Sequence, residues 1–380
     1  EFSAGPDEMQ IQAMIQCMIN SITVITGGPG TGKTTILSFL CKYLHNIDKK
    51  IALCAPTGRA AKRMQEVTGF ESKTIHRLLE FQYKSERDDF DFVFLRNSSN
   101  VLDSDYIFVD ESSMIDIFLM KALLDAVDIS SKIIFMGDVN QLPAVGAGNA
   151  LKDIINSKIV ECIHLTNIYR QESGSLIAVN SHNILEGKYP SFPNNRESEC
   201  IMVKKTDESS RQHAVIKLYC DVLKNNYGFD IAKDVQILTP TKKGLCGTNE
   251  LNLELQKILT TGSSEGNEVD RKYNSLRFTN GDKVIQTRNN YDILWTMKNN
   301  PKISGKAVLN GEIGFVTSVD QYSGSVTVLF DDERIVTYSS DESEDIELAY
   351  AITVHKSQGS EYKATILAIP DAPRPLMNRN

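Results

Sequence analysis

Apolar positions in the first half of the chain fall into short continuous runs. Between the runs lie longer stretches in which they recur every three or four residues. Residues 22–25, 51–54, 106–109 and 132–136 are the short runs, and each reads as a strand buried on both faces. Residues 34–44, 58–68 and 118–126 carry the helical period. That alternation builds βαβ units around a parallel sheet covered by helices on both sides. Between Leu79 and Asn100 the pattern breaks into a polar, acidic stretch holding Phe90, Phe92 and Phe94, which reads as a small inserted hairpin.

A second block begins near Arg170. It carries helices at 176–185, 210–225 and 247–259, a strand at 235–239, and loops at 189–199 and 261–275. From Leu276 to about Thr337 the period becomes two, in DKVIQT, EIGFVTSV, SVTVLF and RIVTYS, with Gly and Asn turns between. Short β segments at this spacing predict a small barrel. Residues 349–355 and 365–369 then return to α/β character, so the barrel is an insertion in a second α/β domain.

The chain of 380 residues is long enough for two or three domains. No run of 18 apolar residues predicts a membrane span, and no signal peptide is legible. Residues 1–6 lack an initiator Met and read as a vector remnant. Seven scattered cysteines without a C-x-x-C pair suggest neither a disulfide framework nor a zinc site, so a reducing, cytoplasmic setting is expected. The net charge of −8 speaks against general nucleic-acid binding, but its distribution is uneven. Residues 42–77 carry a local balance of +5, whereas residues 331–347 carry −7 and read as a solvated acidic face.

The chemistry starts at ITVITGGPGTGKTT. Here a β-branched run leads into Gly27-x-x-x-x-Gly32-Lys33-Thr34 and then into a helix. The loop of Gly28, Pro29, Gly30, Thr31 and Gly32 can turn the backbone N–H groups of its four non-proline residues around phosphates. Lys33 can reach the β- and γ-phosphates, the Thr34 hydroxyl can hold Mg²⁺, and Thr35 lies in the first helical turn. A chance glycine loop would require neither the strand nor the helix around it. YIFVDES ends an apolar run in Asp110-Glu111, where Asp110 can hold the metal and Glu111 can polarise the attacking water. Gln141, after the run at 132–136, is either a sensor of the γ-phosphate or a polar turn capped by Pro143.

GGPGTGKTT, APTGRAAKRM, TIHRLL, VDESSMID, GDVNQLPAVGAG, IYRQ, LTPTKKGLCGTNELN and AYAITVHKSQGSEY together resemble the ordered motif series of superfamily-1 DNA helicases, in the RecD-like branch. The resemblance covers residues 7–380. It implies an α/β fold of two RecA-like P-loop domains, at 7–168 and at 169–275 with 346–380, and an SH3-like barrel inserted at 276–345. It further implies that Gln10, with Gln12 as second choice, reads adenine. It places Arg170 on the γ-phosphate and Glu361, beside Gly359, on the ribose. A planar guanidinium at Arg170 suits charge spread over a transferring phosphoryl group.

A DNA face is implied at Pro56, Thr57, Arg59, Thr74, His76 and Arg77, all within the basic run. A matching face is implied at Thr239, Lys242, Lys243, Asn249, Thr353, His355 and Lys356. Helix N-termini and small hydroxyls at such turns grip phosphates without reading sequence. His76 and His355 also fit as structural histidines. The barrel reads as a DNA-channel element or, by its own sequence, as a protein-interaction module. The resemblance implies an ATP-driven motor moving 5′→3′ on single-stranded DNA, with Mg²⁺ as cofactor and recombination or repair proteins as partners. The motor part of a conjugative relaxase or of a RecBCD-type nuclease complex, an RNA-directed motor of the same superfamily, and an ATP-gated nucleic-acid-binding module remain as alternatives.

The chain departs from the family pattern at both ends. No helical extension precedes Asp7, and PRPLMNRN stands where the family carries a further motif that supplies a second arginine to the γ-phosphate. Arg374 and Arg379 lack that context. Losing such an arginine costs ~10³-fold or more in hydrolysis. The 380 residues are therefore expected to bind ATP but turn it over ~10³-fold more slowly than a chain extended to include the motif. Equal steady-state turnover of the two chains would refute this.

Overall fold

The protein is described from a computed structural model over residues 6–28, 30–86, 89–166, 175–193, 198–260, 277–331 and 333–371, with the backbone alone over 83–92 and at 260. It divides into two compact units at Met202/Val203.

In the first unit the short apolar runs become β1 (Ile22–Gly27), β2 (Ile51–Ala55), β6 (Tyr106–Val109) and β7 (Lys132–Gly137), joined by β3 (Ser72–Thr74) and β8 (Glu161–Leu165). They form one sheet in the order β3-β2-β6-β7-β1-β8, and every neighbouring pair is parallel. Successive side chains of a strand point to opposite faces. Val24, Ile107, Val109, Ile133 and Phe135 therefore enter one core, while Ile25, Leu53, Phe108, Ile134 and Met136 enter the other. The second core is closed by α1 (Glu8–Ile19), α2 (Lys33–Asn46) and α3 (Gly58–Thr68) through Cys17, Leu40 and Met64. The first is closed by α4 (Ile75–Leu78), α5 (Ile117–Asp125) and α6 (Ala150–Ser157) through Ile75, Leu123 and Leu151. The two-sided cover expected from the apolar runs is present.

The helix boundaries follow cap chemistry. Asp7 and Gln10 form a capping box at the start of α1, with Gln10 N donating to Asp7 Oδ1 (2.7 Å) and Asp7 N to Gln10 Oε1 (3.1 Å). Thr57 caps α3 through Ala60 N, and Gly69, at φ 78°, ends it in the left-handed region. The break after Leu79 is an antiparallel hairpin of β4 (Phe81–Glu86) and β5 (Asp89–Phe94), with Phe81 opposite Phe94. The side chains of Phe90 and Phe92 lie outside the description. α7 (Leu176–Leu185) matches its expected bounds but falls in this unit, which runs to Met202, rather than in the second domain expected from 169.

In the second unit the segment expected as one helix at 210–225 runs longer. It consists of α8 (Glu208–Lys217), a π-turn (Leu218–Val222) and α9 (Leu223–Tyr227). Asp207 accepts from Ser210 N at its start, and Gly228 (φ 71°) stops it. β9 (Val235–Thr239) is followed by α10 (Thr248–Thr260). Seven antiparallel strands come next: β10 (Lys283–Gln286), β11 (Asn290–Met297), β12 (Asn300–Val308), β13 (Ile313–Val319), β14 (Val326–Phe330), β15 (Arg334–Tyr338) and β16 (Ile346–Leu348). Their order is β12-β11-β15-β14-β13-β10-β16. β17 (Ala351–Thr353) and β18 (Ala364–Leu367) then flank β9 in parallel. The β segment is thus inserted between β9 and β17, as its period predicts, and it reaches past 345 to include β16. Entry and exit strands β10 and β16 pair with each other, so the insertion begins and ends at one place. There the amide of Asn252 clamps Ala351 N (2.7 Å), Ala351 O (2.9 Å) and Leu348 O (2.9 Å). The loop expected at 261–275 lies outside the described residues.

Cys17, Cys41, Cys54 and Cys246 are buried thiols, and Cys162, Cys200 and Cys220 are half-buried. Among the described residues no helix is long and apolar enough to cross a membrane.

Phe108 is fully buried on β6, between β2 and β7, whereas Tyr322 is fully exposed in a barrel turn. Phe108→Ala is expected to cost ~3–5 kcal/mol. Tyr322→Ala should change stability by under about 0.5 kcal/mol. Urea unfolding followed by circular dichroism reads both.

Candidate nucleotide site and nucleic-acid face

Parallel strands end on the same edge of their sheet, and the loops leaving β1, β6 and β7 carry the charged groups of the site. The loop after β1 needs glycine where it bends. Gly30 (φ 77°) and Gly32 (φ 84°) occupy the left-handed region that side-chain-bearing residues avoid. A Cβ on Gly27 would come within 2.8 Å of Leu165 O and 2.7 Å of Thr31 Oγ1, so only glycine fits where β1 passes β8. Thr31 Oγ1 donates to Gly28 O (2.8 Å) and holds the loop closed. Gly32 is the N-cap of α2 and gives no side-chain cap, so the first N–H groups of that helix, at Lys33, Thr34 and Thr35, are offered to an anion. Lys33 Nζ donates to Gly28 O (3.0 Å) and Gly27 O (2.5 Å). Burial pulls the ammonium below its ordinary value, and Asp138, Asp110 and Glu111 pull the other way.

Asp110 and Glu111 leave β6 at that edge. Asp110 N donates to Cys54 O (3.0 Å), and Asp110 Oδ1 accepts from Glu111 N (2.9 Å). Burial raises the Asp110 carboxyl above its usual range, against the Glu111 N–H, Lys33 and Arg63. Glu111 is pushed up to about 7, first by burial and then by the neighbouring Asp110 charge. It sits at φ 49°, ψ 39°, a left-handed conformation that costs a non-glycine residue about 1–2 kcal/mol. The turn after it is held by Ser112 Oγ donating to Val109 O (2.8 Å). Gly137 ends β7 against this turn, where a Cβ would lie 3.2 Å from both Ser112 N and Ser113 N.

Two residues join this group that the motif reading had not singled out. Asp138 is 3 % exposed and is the strongest of the carboxylates that hold Lys33 charged. Arg63, read earlier only as part of a basic run, acts on Lys33, Asp110 and Glu111 alike. No local pattern in the sequence marked it, because strand order, β3-β2-β6-β7-β1, is what brings α3 to the acid pair. Gln141 is half-buried and its N–H donates to Asp138 O (3.1 Å), which ties it to the same turn. Gln10 is buried with its amide oxygen engaged in the α1 capping box, while Gln12 is exposed.

The donor set fits a nucleotide with its metal. A half-buried cation, an uncapped helix start and glycines turning N–H groups inward suit phosphates. Thr34 and Asp110 offer two hard oxygens, and a magnesium site completed by phosphates and water needs few protein ligands. Pro29 and Arg170 lie outside the described residues. Gly359 (φ 69°) and exposed Glu361 follow a short turn of helix, His355–Ser357, in the second unit.

Of the residues expected on a DNA face, Pro56, Thr57 and Arg59 sit half-buried at the β2–α3 turn, and Arg77 is exposed. Thr74 is buried, and its hydroxyl caps α4 through Arg77 N (3.3 Å). His76 packs inward, edge-on to Phe81 (centroids 5.5 Å apart) and tilted on Phe94 (6.0 Å), at the base of the hairpin. Burial lowers its pKa against the charge of Asp116, as for a structural histidine. In the second unit Thr239 and Thr353 are register partners at the ends of β9 and β17, with Thr239 fully buried. His355, Lys242, Lys243 and Asn249 are exposed, and Lys356 pairs with Glu347 (2.9 Å).

A glycine-turned loop, with an acid pair and a further loop on the same sheet edge, defines a P-loop domain. Family models extend this. An AAA domain matches residues 10–147, the SH3 domain of ATP-dependent RecD-like DNA helicases matches 251–330, and a UvrD-like helicase C-terminal domain matches 348–380. The chain is 31 % identical over 376 residues to the ATP-dependent RecD2 DNA helicase of Deinococcus radiodurans, covering 99 % of this chain and 47 % of that protein. It is 27 % identical to the RecBCD enzyme subunit RecD of Mycolicibacterium smegmatis, covering 100 % of this chain and 68 % of that one. The Pif1 helicase of Candida albicans shares its fold, with a TM-score of 0.53 at 18 % identity over 99 % of this chain and 97 % of that chain. Along its length the chain is similar to the RecD-like branch of the superfamily-1 helicases, and its fold is α/β, RecA-like, with an SH3-like insertion. It spans about half the length of the Deinococcus relative.

A carboxyl raised by folding favours the folded state while protonated, and that advantage fades as pH rises through the folded pKa. In metal-free buffer, Glu111→Gln is therefore expected to gain stability on the wild type between pH 4.5 and about 7, by at most about 3 kcal/mol. Melting temperatures of the two proteins across that range check it; parallel curves would remove the buried-acid assignment.

Proposed function

We propose that the chain is the motor of an ATP-dependent DNA helicase that moves 5′→3′ on single-stranded DNA. The observation that carries this is the half-buried Lys33 in the field of Asp110, Glu111 and Asp138, beside the uncapped start of α2. In this reading the loop of Gly28–Thr35 and Lys33 bind the ATP phosphates, and Thr34 and Asp110 hold Mg²⁺. Held there, a magnesium ion would supply positive charge to the phosphate oxygens. Glu111 orients the attacking water, and Gln141 senses the γ-phosphate. Arg170 neutralises the charge that develops on it, while Gln10, Gly359 and Glu361 seat the base and ribose. ATP lies between the two RecA-like domains, and its turnover changes their grip on the strand.

The strand is held through phosphates by Pro56, Thr57, Arg59, Thr74 and Arg77 in one domain. Thr239, Lys242, Lys243, Asn249, Thr353, His355 and Lys356 hold it in the other. The inward packing of His76 supports a role in holding the hairpin more than one in gripping phosphate. The likeness to RecBCD subunits favours, as a second reading, the motor part of a larger nuclease complex.

Unwinding of 5′-tailed but not 3′-tailed duplexes, with ATPase stimulated by poly-dT and not by poly-U, is the expected result for a chain extended past Asn380. Lys33→Ala should lower both activities by at least ~10²-fold. Strand displacement retained by Lys33→Ala would eliminate the motor reading, and unwinding from 3′ tails alone would reverse the polarity.

A further inference from the structure

Close in sequence to the acid pair lies a polar cavity of about 160 Å³ that shares only Gln141 with the nucleotide reading. Ser113, Asn140, Gln141, Asn149 and Lys152 supply its polar lining. Three features there suit an anion. Asn149 is the N-cap of the eight-residue α6 and makes no side-chain cap, and this uncapped helix start lines the cavity through Asn149, Leu151 and Lys152. Lys152 follows in the first turn. Ser113, 6 % exposed, has a buried hydroxyl with no hydrogen-bond partner. A buried donor left unmatched is uncommon and calls for a ligand or a reason. Asp153, in the same turn, acts against an anion, and the Asp138 carboxylate is occupied by Asn140 N (2.9 Å).

We infer that this cavity is a holding site for a tetrahedral oxyanion, and that it receives the inorganic phosphate released by hydrolysis on its way out past Gln141. The binding site stands on its own geometry; the assignment of product phosphate rests on the proposed ATPase. Ser113 lies two residues beyond Glu111, and Gln141 belongs to the β7 turn, so the cavity adjoins the hydrolytic group through both chain segments. The hydroxyl of Ser113 and the ammonium of Lys152 would supply the charge-matched hydrogen bonds that water supplies in solution.

The test is titration of inorganic phosphate into the Lys33→Ala protein without metal or nucleotide, read by ³¹P line broadening and calorimetry. Removing Lys33 silences the phosphate loop and leaves the second cavity intact. Saturable binding is expected, weakened about tenfold or more when Ser113→Ala or Lys152→Gln is added. Ser113→Ala removes a hydroxyl without partners, so its melting temperature should not fall. No saturable binding in Lys33→Ala, or binding indifferent to both substitutions, overturns the site. The same variants are titrated with oligo-dT. Loss of DNA affinity with phosphate affinity unchanged would assign the oxyanion to the nucleic-acid backbone and overturn the product assignment. In a chain extended past Asn380 and otherwise wild-type, added phosphate should inhibit ATP turnover less when Lys152→Gln is present. Absence of any turnover would refute the ATPase reading while leaving the phosphate titration to decide the cavity.

Discussion

A half-buried ammonium in the field of three carboxylates is the interaction on which the first unit's chemistry depends. Lys33, Asp110, Glu111 and Asp138 are brought together by three parallel strands ending on one edge, with β7 paired to both β1 and β6. Each carboxylate is expensive to bury alone, and like charges in one pocket raise one another. The cation offsets part of this, and Arg63 adds to it from α3. The remainder appears as a Glu111 carboxyl displaced to about 7, near the value at which a side chain is best poised to exchange protons or orient water at neutral pH.

The same edge stores strain. Glu111 is held left-handed, and the glycines of the loop after β1 are left-handed by necessity. Such conformations persist where surrounding structure over-determines them. Here the Ser112 hydroxyl, the closeness of Gly137 and the sheet register supply that support. The uncapped starts of α2 and α6 are a second departure from economical folding. Both leave N–H donors unused beside buried polar side chains, and both lie next to the acid pair.

The surface assigned to nucleic acid is built differently. Thr57 and Thr74 cap short helices, which fixes the turn whose backbone and neighbouring cations face outward. α4 has four residues, yet it joins Arg77 on its exposed side to the hairpin through His76, Phe81 and Phe94. An isolated two-stranded hairpin is marginal in water, so this aromatic contact and the Arg96–Glu80 pair (2.8 Å) at its base keep it in place. The inserted barrel is joined with equal economy, since β10 and β16 leave and return side by side.

The sequence by itself determined the alternating strands and helices, the phosphate loop, the acid pair and the inserted barrel. Each is a local pattern: period, glycine placement and charge at a strand's end are written in neighbouring residues. Boundaries moved where caps decided them, as at Asp207 and Gly228. Tertiary structure alone decided which distant groups share the pocket. Asp138 and Arg63 join Lys33 because strand order and helix register bring them there, and neither is a contact that a linear pattern encodes. It also decided that His76 faces two phenyl rings and that the Ser113 hydroxyl stands unmatched in a cavity. Burial and partner geometry are properties of packing, and packing depends on residues far apart in the chain.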